Sequence, residues 1–426
     1  MKVNRTKNYL ASTVICVCLL LMAITGKSLF LYAAIGISIL LLHKPEIVFA
    51  AYFVSSLSVG YFSAGTLGAA RFLSVVLIVS LIIQWRKFDK ISPLLLFLEV
   101  LIILYSLFSC LFSVTGEVYS FMIMMQSLLV AFLLQRSVTI DSESLIHIVI
   151  LNSLVVILVL FIHMLQDTAI VLGDRYSGTE GVNANKFAMM CTQLGAVMLC
   201  AFGFLRNKIL KIVCVVAFGL SIAMIVLSGS RSALIGLVAA TVLFVVIQGA
   251  GVKKTVLSIL MIVVVAYIMA SYLFTIDSPV INRFDAEVVL EGKGTSRLDF
   301  AQIIIDEVIS THLLFGVGMG GQNIMALGIP KQAHNIIIDP LSQLGLIGFI
   351  LYLCFIIPII VKSFRVRKKN TLVFLPLTLF VAGLFNGIGE VVFYEKFFWN
   401  SIAMCALIVS QSKMHTSPST NVVNLS

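Results

Sequence analysis

From Leu145 to Leu165 and from Thr255 to Phe274 the chain carries no Asp, Glu, Lys or Arg. Each stretch matches the ~20 residues a helix needs to cross ~30 Å of hydrocarbon. Both are apolar throughout rather than alternating, which excludes the strands of a membrane β-barrel. Of 426 residues, 60% are hydrophobic and 11% charged, against roughly 25% charged in soluble domains, so a soluble fold is excluded as well. The expected fold is all-α, a polytopic transmembrane helical bundle.

Apolar runs bounded by charges predict spans near 9–25, 28–42, 47–62, 68–84, 93–113, 118–134, 145–165, 187–205, 209–227, 232–248, 255–274, 338–361, 371–388 and 397–411. Several are shorter than ~20 residues, so a re-entrant hairpin near the N-terminus or between 47 and 84 leaves the total at about 12–14. Residues 1–412 read as a single transmembrane domain and 413–426 as a disordered polar tail. Lys2, Arg5 and Lys7 precede the first apolar run as in a signal peptide, but the many following spans favour an uncleaved first helix. All eight cysteines fall in apolar stretches and read as small buried hydrophobes. Metal binding by Cys16-Val17-Cys18 is disfavoured by the hydrophobic run around it.

The formal charge of +10 does not point to nucleic acid in such a chain; its distribution sets topology. With the N-terminus in the cytoplasm, about two thirds of the 29 Lys and Arg fall on that side, including Lys362, Arg365, Arg367, Lys368 and Lys369. The outer side is then slightly acidic, as the positive-inside rule requires. Two outer segments exceed ordinary connections of about 2–8 residues. One covers 166–186, and the larger covers 275–335, between the spans at 255–274 and 338–361. Within the larger, Thr295 or Ser296 is placed to cap a short amphipathic helix running to Ile309, followed by a flexible glycine turn from Phe315 to Gly321.

Four outer-side basic groups stand out: Arg175, Arg231, Arg297 and His334. Arg231, in Ser228-Gly229-Ser230-Arg231-Ser232-Ala233, is the only charge between Lys211 and Lys253. An arginine at membrane depth costs ~2.5–3.5 kcal/mol or more unless it meets a cavity or partner. Read singly, each group has a plainer role. Arg231 can snorkel, Arg175 can pair with Asp174, Arg297 can pair with Asp299 or Glu291, and His334 can cap the helix beginning near Asn335. Read together they suit one chemistry. Outside the cytoplasm there is no ATP, so group transfer needs an already activated donor. Guanidinium forks match phosphate oxygens, and a histidine beside them can take a proton from an attacking hydroxyl. The glycine cluster at 316–321 lacks the Lys-Ser/Thr of a P-loop and follows no predicted strand. Glu99, within a predicted span, is the one feature favouring a proton-coupled transporter.

At these residues the chain resembles the O-antigen polymerase and O-antigen ligase superfamily of bacterial surface-polysaccharide assembly. The matching features are Arg175 followed by Asn183-Ala184-Asn185-Lys186-Phe187-Ala188, the Ser228 to Gly236 segment, Ser296-Arg297, Phe315-Gly316-Val317-Gly318, and Ala333-His334-Asn335 running into Gln343-Leu344-Gly345-Leu346-Ile347-Gly348. The resemblance implies a metal-independent, cofactor-free glycosyltransferase of the bacterial cytoplasmic membrane with its site facing outward. Its donor would be an undecaprenyl-pyrophosphate-linked glycan and its acceptor a lipid-linked repeat unit or lipid A-core. Arg175, Arg231 and Arg297 would handle pyrophosphate, with Arg231, Arg297 and His334 catalytic. Met319 stands where the family often has proline, and Gln343 where it often has an acid, leaving Asp339 as a substitute carboxylate. A polymerase is the leading expectation and a ligase its rival, since the motifs do not separate them. A lipid-linked oligosaccharide flippase is the distinct alternative, disfavoured because no internal repeat is visible and the polar groups gather at one face.

Overall fold

The computed structural model describes residues 5–58, 60–64, 67–84, 93–115, 118–137, 140–166, 177, 183–249, 260 and 297–414. It is an all-α bundle. Besides a two-residue antiparallel ladder, Ser63–Ala64 with Leu67–Gly68, the described elements are helical. The first half holds α1 (Arg5–Thr25), α2 (Ser28–Leu40), α3 (Pro45–Ser56), α4 (Ala69–Ile83), α5 (Pro93–Leu111), α6 (Val118–Arg136) and α7 (Ser142–Gln166). The second holds α8 (Ala184–Phe204), α9 (Lys208–Ser228), α10 (Arg231–Ile247), α11 (Arg297–Ile303), α12 (Gln322–Ala326), α13 (Ile338–Val366), α14 (Phe374–Asn386) and α15 (Lys396–Met414). Every predicted span except 255–274 coincides with a helix; that one lies outside the described residues apart from Leu260. α15 reaches Met414, beyond the predicted start of the tail at 413, and 415–426 are outside the described residues.

Seven of these helices are long and apolar enough to cross a membrane: α1, α5, α6, α7, α8, α9 and α13. α3 is different. Proline at its first position starts it, all twelve residues are buried, and at 1.5 Å per residue it is only about 18 Å long. A helix apolar on every side belongs inside a protein, and α3 packs closely with α4 across the small ladder. α1 is held in the bundle through Asn152 Nδ2, which donates to Ser12 Oγ at 2.8 Å, both residues buried. α15 is the other central helix. Its Trp399 packs edge-on against Tyr352 of α13 and Phe393, at centroid distances of 5.8 Å each.

α13 is two helices joined at a break. Gly345 has φ +65° and ψ −178°, a conformation that only glycine adopts without strain. The backbone groups freed there are taken up by residues 313–318. Val317 N donates to Ser342 O and Gly318 N to Gln343 O, both at 3.0 Å, while Leu346 N donates to Leu313 O at 2.7 Å and Ile347 N to Leu314 O at 3.2 Å. The predicted flexible turn is therefore a packed segment. A Cβ on Gly318 would stand 2.1 Å from Ser113 Cβ at the end of α5.

Glu99 is not isolated. It is buried in an ion pair with Arg136 of α6, the two side chains 3% and 13% exposed, which removes the feature that favoured a proton-coupled transporter. Glu99→Ala leaves the half-buried Arg136 without this partner and is expected to cost about 3 kcal/mol, the low end for a buried pair, whereas Glu99→Leu with Arg136→Met should recover most of that loss. Thermal unfolding of the purified protein in detergent checks both, and an unchanged midpoint for Glu99→Ala would show the pair carries no weight.

Candidate functional site

Residues 297–337 fold back on one end of the bundle. α11 continues into a π-helical turn, Ile304–Ile309, so the predicted amphipathic helix is present; its predicted cap at Thr295 or Ser296 lies outside the described residues. The inner face of this segment builds a small core of its own from Ile304, Val308, Val317, Ile324, Ile329 and Ala333. Asn323 fastens it. Its Nδ2 donates to the carbonyls of Gly318 and Met319 at 3.0 Å each, and its Oδ1 accepts from Thr115 N at 2.9 Å. Gln343 does comparable work: its Oε1 accepts from Gly320 N at 3.0 Å and Tyr394 OH at 2.6 Å. The residue standing where an acid was expected is thus a structural buckle.

His334 sits at the edge of this core. With φ +52° it is the only non-glycine residue with positive φ among the described residues, a costly conformation of the kind that clusters at functional sites. Asp339 holds it there. Buried in the first turn of α13, Asp339 accepts from Ala333 N through Oδ1 at 3.0 Å and from Asn335 N through Oδ2 at 2.9 Å, one amide on each side of the strained residue. Asp339 is therefore a backbone clamp, not a carboxylate helper at the ring. Asn335 caps α13, its Oδ1 accepting from Ile337 N at 2.9 Å and Ile338 N at 3.2 Å, so capping does not account for the histidine.

The carboxylate at the ring is Glu390, from the connection between α14 and α15. Its Oε2 lies 3.5 Å from His334 Nδ1, ion-pair range rather than a close hydrogen bond, and its Oε1 accepts from Asn185 Nδ2 at 2.6 Å. Glu390 is buried, while the His334 side chain is 31% exposed. Ile336 N, donating to Gly387 O at 2.7 Å, ties the two loops together. The next residue of α8, Lys186, pairs with Glu395 at 2.9 Å. Lys396 then turns inward, 1% exposed, and donates to Gln126 Oε1 at 2.5 Å and Ala70 O at 3.1 Å. Beside it Arg71 stacks on the Tyr119 ring, 4.7 Å from its centroid. A polar band thus crosses this end of the bundle from His334 to Arg71.

Arg231 lies at the same end. α9 closes with left-handed Gly229 (φ +64°), Ser230 follows, and Arg231 is the first residue of α10. Five residues on, Gly236 abuts Asn386 at the end of α14, beside the loop that carries Glu390. Arg231 is half-buried and makes no ion pair with a described residue. Arg297 opens α11, and of its side chain nothing is described; Arg175 lies outside the described residues. Of the four predicted site residues, Arg231 and His334 are therefore brought to one end. Sequence reasoning missed Glu390 and Lys396. Their signal was present, because Glu390, Glu395 and Lys396 are the only charges between Lys369 and Lys413, but 389–396 reads as a plain connector between the last two spans.

A cleft of about 670 Å³, lined by Glu143, His147, Gln248, Arg367 and Lys368 among others, opens at the opposite end and contains none of these residues.

Residues 216–353 match a family model described as O-antigen ligase. The matched segment, about a third of the chain, runs from α9 into α13 and includes Arg231, Arg297, the glycine segment and His334; Glu390 and Lys396 lie beyond it. No curated protein and no solved structure matches the chain. The resemblance read from the motifs to the O-antigen polymerase and ligase superfamily is supported by this match.

Asp339→Asn replaces one of the two acceptors around His334 with a donor. The expected cost is about 1–3 kcal/mol, local to the loop. Hydrogen exchange at the amides of 333 and 335 should quicken by about 10–100-fold, and unchanged exchange there would show that the clamp does not operate.

Proposed function

We propose that the chain is a glycosyltransferase of bacterial surface-polysaccharide assembly, acting at the outer face of the cytoplasmic membrane on an undecaprenyl-pyrophosphate-linked glycan. The observation that carries this reading is His334. A strained, clamped histidine with a buried carboxylate on one ring nitrogen lies inside the segment that matches the O-antigen ligase family, with Arg231 at the same end of the bundle. In the proposed reaction the acceptor hydroxyl oxygen bonds to the anomeric carbon of the donor sugar. The bond from that carbon to the pyrophosphate oxygen breaks, and the hydroxyl proton passes to His334. Undecaprenyl pyrophosphate leaves as the anion. Arg231, with Arg297 and Arg175, supplies positive charge to the departing oxygens, the task a metal ion performs in other transferases.

The favoured acceptor is a second lipid-linked repeat unit, which makes the protein a polymerase; a ligase moving the glycan to lipid A-core uses the same donor chemistry. The pairing of Glu99 with Arg136 counts against a flippase, since intramembrane acids that relay protons are the mark of many transporters.

Purified protein supplied with lipid-linked repeat units, with and without lipid A-core, separates these readings by product length: a ladder without core indicates a polymerase, and transfer only with core a ligase. His334→Ala is expected to lower transfer about 10²–10⁴-fold and Arg231→Ala about 10²–10³-fold. Full activity in either variant would remove that residue from the mechanism, and no transfer by the unaltered protein to any acceptor would overturn the reading.

A further inference from the structure

We infer that Glu390 is the positioning residue of His334, fixing the ring proton on Nδ1 and leaving Nε2 as the atom that receives the acceptor's proton. The step in which Nε2 acts rests on the proposed transfer; the placement of the proton does not. Three observations carry the assignment.

First, the two ring nitrogens are in different surroundings. Nδ1 is buried and faces Glu390 Oε2, while the side chain as a whole is 31% exposed and Nε2 is not among the buried, unpartnered atoms. An ionised carboxylate is an acceptor only, so the nitrogen facing it in a neutral imidazole must carry the hydrogen. Second, Glu390 is oriented from behind. Asn185, just inside α8 and anchored by the Asn183 cap, whose Oδ1 accepts from Asn185 N at 2.8 Å, donates Nδ2 to Glu390 Oε1. Oε2 is the oxygen turned to the ring. Third, the other charged groups described nearby have close partners of their own. Asp339, on the histidine's own segment, uses both oxygens on backbone amides, and Lys186 of α8 is paired with Glu395. Among the described residues, Glu390 is the carboxylate that faces the ring nitrogen.

The same geometry predicts what an isosteric change does. In Glu390→Gln, Asn185 Nδ2 still requires an oxygen, so the substituted amide keeps its carbonyl toward Asn185 and turns its NH2 toward His334 Nδ1. Nδ1 must then accept, and the proton moves to Nε2, where it blocks the base. The shape of the site is retained. Exchanging a carboxylate for an amide behind a catalytic histidine in this way produces the wrong tautomer.

The test uses the full-length protein in detergent or nanodiscs with ¹⁵N-labelled histidine, the His334 signals being assigned by their loss in His334→Ala. At a pH where the ring is neutral, the unaltered protein is expected to show Nδ1–H and unprotonated Nε2, and Glu390→Gln the reverse. In transfer assays Glu390→Gln should lose about 100-fold or more in kcat with KM for the lipid-linked donor within about threefold, whereas Glu390→Asp, which keeps a carboxylate, should recover part of the rate. An Nε2–H signal in the unaltered protein, no change of tautomer in Glu390→Gln, or a kcat within about twofold of the original would overturn the inference. The spectra need no substrate, so they decide the position of the proton even if the protein transfers no glycan, an outcome that would count against the proposed function alone.

Discussion

The break in α13 at Gly345 is the constraint on which the rest of this end of the molecule depends. A backbone interruption in an apolar bundle leaves donors and acceptors that no lipid can satisfy, and it is tolerated only where protein supplies the missing partners. Here residues 313–318 supply them on both sides of the break. The exchange is mutual: the glycine segment needs the freed groups of α13 for its own amides, and its close approach to Gln343 and Ser113 leaves no room for a Cβ. A segment that elsewhere would be a mobile connector is thereby locked to the bundle, and the small apolar core built on it carries His334 to a fixed place.

Charge follows the same logic. Three buried or half-buried acids described at this end have partners: Glu390 with Asn185 and His334, Glu395 with Lys186, and Asp339 with backbone amides. Lys396 is surrounded by carbonyl, amide and hydroxyl acceptors, and Arg231 makes no ion pair with a described residue. The proposed role of Arg231 as a charge that meets the leaving pyrophosphate rests on its place at this same end and inside the matched segment. The opposite end is basic in a different manner, with Arg365, Arg367, Lys368 and Lys369 grouped near the cleft there, as expected of a cytoplasmic surface.

Much of the architecture was legible in the sequence because hydrophobicity alone decides which stretches of such a chain are helical. Arg231 stood out for a similar reason, as a lone charge in an apolar region. Pairing was not legible. Glu99 looks isolated until α5 and α6 are side by side and Arg136 reaches it, and the partner of His334 comes from Glu390, 56 positions along the chain, while the nearer Asp339 turns to the backbone. Linear spacing favours the near acid; the fold selects the far one, because the Gly387 and Ile336 backbones meet. The glycine segment was visible as a run of small residues, but its locking role depends on a helix break that a continuous apolar pattern conceals.

The polar band at His334 is proposed to face the exterior, and sided chemical labelling in intact cells tests that most directly. In a background with the eight native cysteines replaced, Lys331→Cys reports on the loop beside His334 and Lys368→Cys on the opposite end, both positions being exposed. A membrane-impermeant thiol reagent should label position 331 in intact cells and position 368 only after permeabilisation. Labelling of 368 from outside, with 331 protected until the membrane is opened, would contradict the account, because the band would then lie on the cytoplasmic side.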